Sequence, residues 1–268
     1  MVNAAATVGD HLREWRRRRR MSQLDLAMDA EISTRHLSFV ESGRSRPSRE
    51  MLLRLAERLN VPLRDRNLLL VAGGYAPVFA ERGIGHSELE PARRAIDLIL
   101  KGHEPYPALA IDRHWTLVQA NDAVTPLLAG TDPSLVTPPV NVLRFSLHPS
   151  GLAPRIANLA EWRAHLLERL RRQIEISADP VLIALMQELR SFPVPSQSRA
   201  RISSATADYA GIVVPFLLKT DAGVLSFFST TTVFGTPIDI TLSELALESF
   251  FPADTITAEV LHRLAARA

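Results

Sequence analysis

The chain has 268 residues, 46% of them hydrophobic, enough for two domains with cores of their own, and it holds no cysteine, which excludes disulfides, thiolate metal sites and thiol nucleophiles. No apolar run approaches the roughly 18 residues of a membrane span, and the start, MVNAAATVGD, has no charged stretch leading into an apolar one; neither a membrane helix nor a signal peptide is expected, and the reading is a cytoplasmic protein. The net charge of +2 is unevenly spread: residues 1–72 carry 14 Lys and Arg against 9 Asp and Glu, and residues 73–268 carry 17 against 20, so the N-terminal part faces a polyanion better than the rest does.

In chain order, a first helix is expected over Val8 to Arg19 with Val8, Leu12 and Trp15 inward. Ser22 followed three residues later by Asp25 resembles a capping box, so a second helix starts at Gln23, with Leu24, Ala27 and Met28 as its apolar stripe. Ser33 caps a third helix with Leu37 and Val40 turned to the core; Gly43 is placed to end it in a left-handed conformation, and Thr34, Arg35, Ser38 and Phe39 remain on the outer face. Ser48 caps a fourth helix after the Pro47 break, buried through Met51, Leu52, Leu55, Ala56 and Leu59, and Pro62 opens a fifth that stops before Gly73-Gly74.

Gln23 and Ala27, then Ile32-Ser33, then Glu41 and Gly43 stand at the spacing Q-x-x-x-A, I-S, E-x-G, which resembles the helix-turn-helix of phage-repressor-like, or XRE-type, transcription regulators. The resemblance implies a five-helix DNA-binding domain over residues 1–72 whose third helix enters the major groove of double-stranded DNA. Carried over position by position, Ser33, Thr34, Arg35 and Phe39 fall where base edges are contacted, with His36 and Ser38 nearby; Arg35 can bond O6 and N7 of guanine together and Phe39 can touch a thymine methyl. Gln23 matches the glutamine that meets the DNA backbone or a base, Ser22 adds a phosphate contact, and Arg44 and Arg46 lie where phosphates pass. The same resemblance pairs Arg16 with Glu41, leaving Arg17 to Arg20 mostly as a solvated helix end.

From Gly73 to Pro91 the periodicity breaks, and residues 73–91 read as a linker. A short amphipathic helix follows over Ala92 to Leu100, with Ile96, Ile99 and Leu100 on one side. Ala108 to Ile111 and Trp115 to Val118 flank a tight turn at Asp112-Arg113-His114, and Asn121 is placed to cap a helix reaching Leu128. The middle is helical: a short helix after Asn141, a long one within Ile156 to Ile176, another over Val181 to Leu189. After a polar stretch from Pro195 to Ala207, a second hairpin turns at Asp221 to Gly223, and the tail from Leu242 to Leu264 reads as helical, for a total of four strands.

Within this part, H-x-P-x-P-A-x-x-x-D-R-x-W-x-x-x-x-A-N, spanning His103 to Asn121, resembles the C-terminal domain of the MmyB-like branch of these regulators. That implies a PAS-like α+β sensor and dimerisation domain over residues 92–268, some of whose relatives are associated with fatty-acid-like or other apolar ligands. The F-x-x-x-W segment that many of this branch carry before the last hairpin is absent. Candidate lining residues for an apolar ligand are Phe145, Trp162, Phe216, Phe227 and Phe228, with ordinary core packing as the alternative at each; Arg144, His148, Arg155 and Asn158 cluster around a turn and are candidates for a polar head group.

No H-x-x-x-H, G-x-S-x-G or phosphate-binding glycine loop is present, so no catalytic residue, metal or cofactor is expected. The expectation is a multidomain regulator, all-α followed by α+β, acting as a homodimer on an inverted repeat with a small apolar effector. The competing reading keeps the DNA-binding domain and uses the C-terminal domain only to dimerise or to dock a protein partner; a third makes that domain a minor catalytic one.

Overall fold

The computed structural model describes residues 6–128, 130–193, 214–235 and 237–266, which form two bodies. The first comprises residues 6–82 together with 175–177 and 237–243; the second holds the remainder.

In the first body, α1 (Val8–Arg18), α2 (Gln23–Asp29), α3 (Thr34–Glu41), α4 (Arg49–Arg58) and α5 (Leu63–Ala72) surround a core of Leu12, Trp15, Leu26, Leu37, Val40, Leu52, Leu55 and Leu69. Side chains that satisfy the free amides of each first turn set where the helices start. Thr7 and Asp10 form a capping box on α1, Ser22 and Asp25 another on α2, while Ser33 and Ser48 accept from His36 and Met51. Gly43 follows α3 at φ 74°, the left-handed geometry expected of it. Gly9 answers a different need, because a Cβ there would lie 2.5 Å from the Glu41 carbonyl oxygen; its missing side chain lets α1 press onto the end of α3.

The α2 stripe differs from expectation. Leu24 and Met28 are 56% and 69% exposed, and Leu26, Ala27 and Ala30 are the buried face. Leu24-Ala27-Met28 and Leu26-Ala27-Ala30 both satisfy helical spacing, and docking against α3 and α4 selects the second.

Residues 75–82 are tied down: Asn67 accepts from the amides of Val78 and Phe79 and donates to the Phe79 carbonyl, and Arg64 pairs with Glu81 at 2.6 Å. Ala80 bridges to Asp239, whose carboxylate takes Arg82 at 3.0 Å, beside the short α10 (Ile240–Ser243) of the same body.

The second body is α+β. Its strands β1 (Ala108–Ile111), β2 (Leu117–Ala120), β3 (Phe216–Thr220), β4 (Gly223–Val233) and β5 (Ala246–Pro252) form an antiparallel sheet in the order β2-β1-β5-β4-β3. Its helices are α6 (Glu90–Gly102), α7 (Val142–Leu147), α8 (Leu159–Ser177, whose tip groups with the first body), α9 (Pro180–Ser191) and α11 (Thr255–Ala265). The polar stretch from Pro195 to Ala207 lies outside the described residues.

Four expectations are corrected here. The tail is not continuously helical: Ala246–Pro252 is the central strand, paired with β1 on one side and β4 on the other, so the sheet has five strands. Good helix formers in SELALE lose to backbone hydrogen bonding on both edges. The second strand starts at Leu117, because Trp115 takes a left-handed φ of 66° inside a turn closed by Asp112, which accepts from His114 and Thr116 at 2.8 Å each. Asn121 is no helix cap. Its amide is buried, accepting from Ala108 N at 3.0 Å and donating to the carbonyls of Leu100 and Tyr106, and the segment after it is a 3-10 helix containing Pro126. On α6, Ile99 is 43% exposed while Ile96 and Leu100 are buried.

Candidate DNA-reading face and ligand cavity

The outer face of α3 carries Thr34, Arg35, Ser38 and Phe39, with Arg35 exposed and the other three half-buried. Phe39 lies beneath two guanidiniums, those of Arg35 at 5.4 Å and Arg44 at 6.0 Å from its ring centroid. Such stacking holds both cations near one face of the helix. Ser22 and Ser33 are exposed at the starts of α2 and α3, where each hydroxyl serves its own helix as a cap. Arg46 is exposed and donates to the Gly73 carbonyl at 3.3 Å.

Gln23 is turned inward. Its amide donates to Glu41 Oε2 at 2.9 Å, joining a cluster in which Arg16 Nε and Nη2 reach the two oxygens of Glu41 at 2.7 and 2.8 Å. Burial alone would raise the Glu41 pKa; the hydrogen bonds from Arg16 and Gln23 and the charges of Arg16 and Arg13 outweigh it and hold the carboxyl below its ordinary value. Arg19, from the run expected to be solvated, instead donates to the carbonyls of Leu59 and Asn60 and caps the end of α4.

The second body contains a cavity of about 180 Å³ between the sheet and the helices over it. Phe145, Trp162, Phe216 and Phe227 are among the residues that line it, with Trp115, Leu143, Leu166 and Phe250. Trp115 donates from its indole nitrogen to Gln173 at 2.7 Å, and Trp162 to Ser146 at 3.2 Å, so both rings keep carbon toward the space.

Phe228 does not line this space. It neighbours Phe227 on a strand, so it points through the opposite face, where it stacks on Phe251 at 5.2 Å. The four expected head-group residues are likewise engaged elsewhere: Arg144 pairs with Glu188 at 2.5 Å, His148 accepts from Ser150 N, Arg155 donates to the Leu127 carbonyl at 2.9 Å, and Asn158 holds Pro215 and Leu217. Their closeness in sequence follows a turn that spends their polar atoms on backbone and partners.

Sequence reasoning missed the charged groups that reach the cavity, Arg169 of α8 and Glu248 of β5. They form an ion pair that Thr231 completes, accepting from Arg169 at 3.0 Å and donating to Glu248 at 2.9 Å. Arg169 sits in RLRRQ, a run with the look of a solvated helix face, and Glu248 in the segment read as helix, so no local signal joined them.

Among the described residues no helix is long and apolar enough to cross a membrane, and no group of three or more His, Cys, Asp or Glu is arranged to hold a metal. A helix-turn-helix head in one chain with an α+β ligand-binding domain defines a DNA-binding transcription regulator, and both domains are those of regulators. Residues 12–65 match the Helix-turn-helix family, of XRE type, and residues 92–264 match the MmyB-like transcription regulator ligand binding domain. The chain belongs to the MmyB-like transcription regulators. No curated protein matches it.

Proposed function

We propose that the effector of this regulator is a small apolar, fatty-acid-like molecule held in the 180 Å³ cavity. The observation that carries the reading is the lining, which is carbon almost throughout and built from aromatic and branched side chains. An apolar cavity of about 150 Å³ in another protein stays dry and takes up benzene, so a space of this size is a fitting site for an uncrowded hydrocarbon group.

On the DNA side, Arg35 reads a guanine, Phe39 touches a thymine methyl while supporting Arg35 and Arg44, and Ser33, Thr34 and Ser38 complete the contacts of α3. Ser22, Arg44 and Arg46 meet phosphates; Gln23 acts mainly by bracing Glu41. The reading domain is assigned to residues 1–72 and the sensor to 92–268, with 73–91 between them. The protein works in the cytoplasm as a homodimer on an inverted repeat of double-stranded DNA, half-sites about one helical turn apart. Effector binding changes DNA affinity only if it favours one arrangement of the two reading heads over the other.

The test is to denature the purified full chain and identify what it releases by mass spectrometry, then to measure DNA binding with and without an organic extract of the host. A released hydrocarbon compound and altered specific binding support the reading. Nothing released, no thermal shift with a lipid panel and DNA binding indifferent to the extract favour a C-terminal domain used only for dimerisation or docking.

A further inference from the structure

Apart from the Ser146 hydroxyl, which accepts from the Trp162 indole, the polar side chains in the cavity wall are Arg169 of α8 and Glu248 of β5, which meet at one end. There Arg169 lies with its guanidinium 4.9 Å over the Trp115 ring and is bound by both oxygens of Glu248, Nη1 reaching Oε2 at 3.3 Å. The Glu248 side chain is 5% exposed, so its charge has been taken out of water against this one cation. The other charged side chains of α8 are not among those that line the cavity. Arg171 and Arg172 pair with Glu168 at 2.7 and 3.0 Å, all three side chains well exposed. His165, stacked on Trp162, is held toward its neutral form by burial and then by Arg169. The polar end of the cavity therefore carries no net charge.

A ligand carboxylate arriving there meets a cation already neutralised. To bond Arg169 it must bring a second anion beside the buried Glu248 or displace Glu248 into an apolar wall with no partner, and both are costly. A hydroxyl, amide or ketone brings no charge and can bond to the Glu248 carboxylate or the guanidinium edge, the charged groups that line the space. We propose that Arg169 and Glu248 are the selectivity determinants of the cavity, and that it takes amphiphiles with an uncharged hydrogen-bonding head in preference to the carboxylate of the same chain. This rests on the apolar-effector reading above and narrows the effector to neutral derivatives.

The experiment is calorimetric titration of the full chain with medium-chain alkyl compounds that differ only at the head: primary alcohol, primary amide and carboxylic acid. At about pH 8 the alcohol and amide should bind at least about tenfold more tightly than the acid. Between about pH 6 and pH 8 the apparent affinity of the acid should fall about tenfold per unit as its neutral form is depleted, while that of the alcohol stays level. Glu248→Gln, which frees the Arg169 charge, should reverse the order in favour of the acid. If that variant does not fold, the pH series on the unaltered protein still decides the matter. Acid binding at least as tight as alcohol at about pH 8 would overturn the head-group selectivity and leave the apolar cavity standing. Failure of every compound to bind would remove both.

Discussion

Arg16 grips both carboxylate oxygens of Glu41, with side chains 12% and 1% exposed, and so joins α1 to the last residue of α3. Removing one partner leaves the other buried and unpaired, so Arg16→Leu or Glu41→Ala should cost about 3–5 kcal/mol. The check is hydrogen exchange at the α1 and α3 amides in the full chain. Because the Glu41 carboxyl titrates below its ordinary value in the folded protein, its contribution is complete above that ordinary value and is lost as pH falls through the lowered one. Protection of these amides should follow that curve, and in Glu41→Ala the acid limb should flatten.

Arg35→Ala should abolish preference for the operator guanine, a loss of about 1–3 kcal/mol for that base pair, while affinity for unrelated DNA changes little. Arg44→Ala should weaken all sequences alike and reduce the salt slope by about one unit. Fluorescence anisotropy with matched and mutated operators at several salt concentrations separates the two. Unchanged preference in Arg35→Ala would show that α3 does not read the sequence in this way.

Val142 lines the cavity and is only partly buried, so Val142→Phe fills the space from one side. The expected cost is about 1–3 kcal/mol of overpacking. Thermal shift with an apolar ligand should vanish while specific DNA binding in the absence of ligand persists. Retention of the full shift would place the ligand elsewhere.

Asn121 has its amide between two carbonyl oxygens and one backbone N–H, at 2.8–3.0 Å. Asn121→Ala leaves those groups unpaired and should cost about 1–3 kcal/mol. Asn121→Asp should be worse at neutral pH, because a carboxylate oxygen then faces the carbonyls of Leu100 and Tyr106. Its folded-state pKa is raised, so this variant should regain stability as pH falls, when the protonated acid can donate to one carbonyl. Melting temperatures of the two variants across pH should converge or cross on the acid side.

What could be read directly was local in origin. Ser22 with Asp25, Ser33, Ser48 and Gly43 carry their structural meaning within a turn of chain, and the structure places caps and termini where they stand. The Arg16–Glu41 pair came from family spacing, since nothing in five consecutive arginines says which one turns inward. Phe145, Trp162, Phe216 and Phe227 were legible as apolar, but the same reasoning admitted Phe228, because strand register had still to decide which face each phenylalanine takes.

The sequence by itself determined the five helices of the first domain, the outer face of α3 and the α+β character of the second domain, because capping, periodicity and β-branched runs act over a few residues. Tertiary structure alone decided three other matters. It made Ala246–Pro252 the middle strand, since two neighbouring strands offer that backbone more hydrogen bonds than its helix propensity resists. It turned Leu26 inward in place of Leu24, since two stripes shared one helix. And it joined Arg169 to Glu248 at the cavity, a pairing across 79 residues that depends on where a helix crosses a sheet.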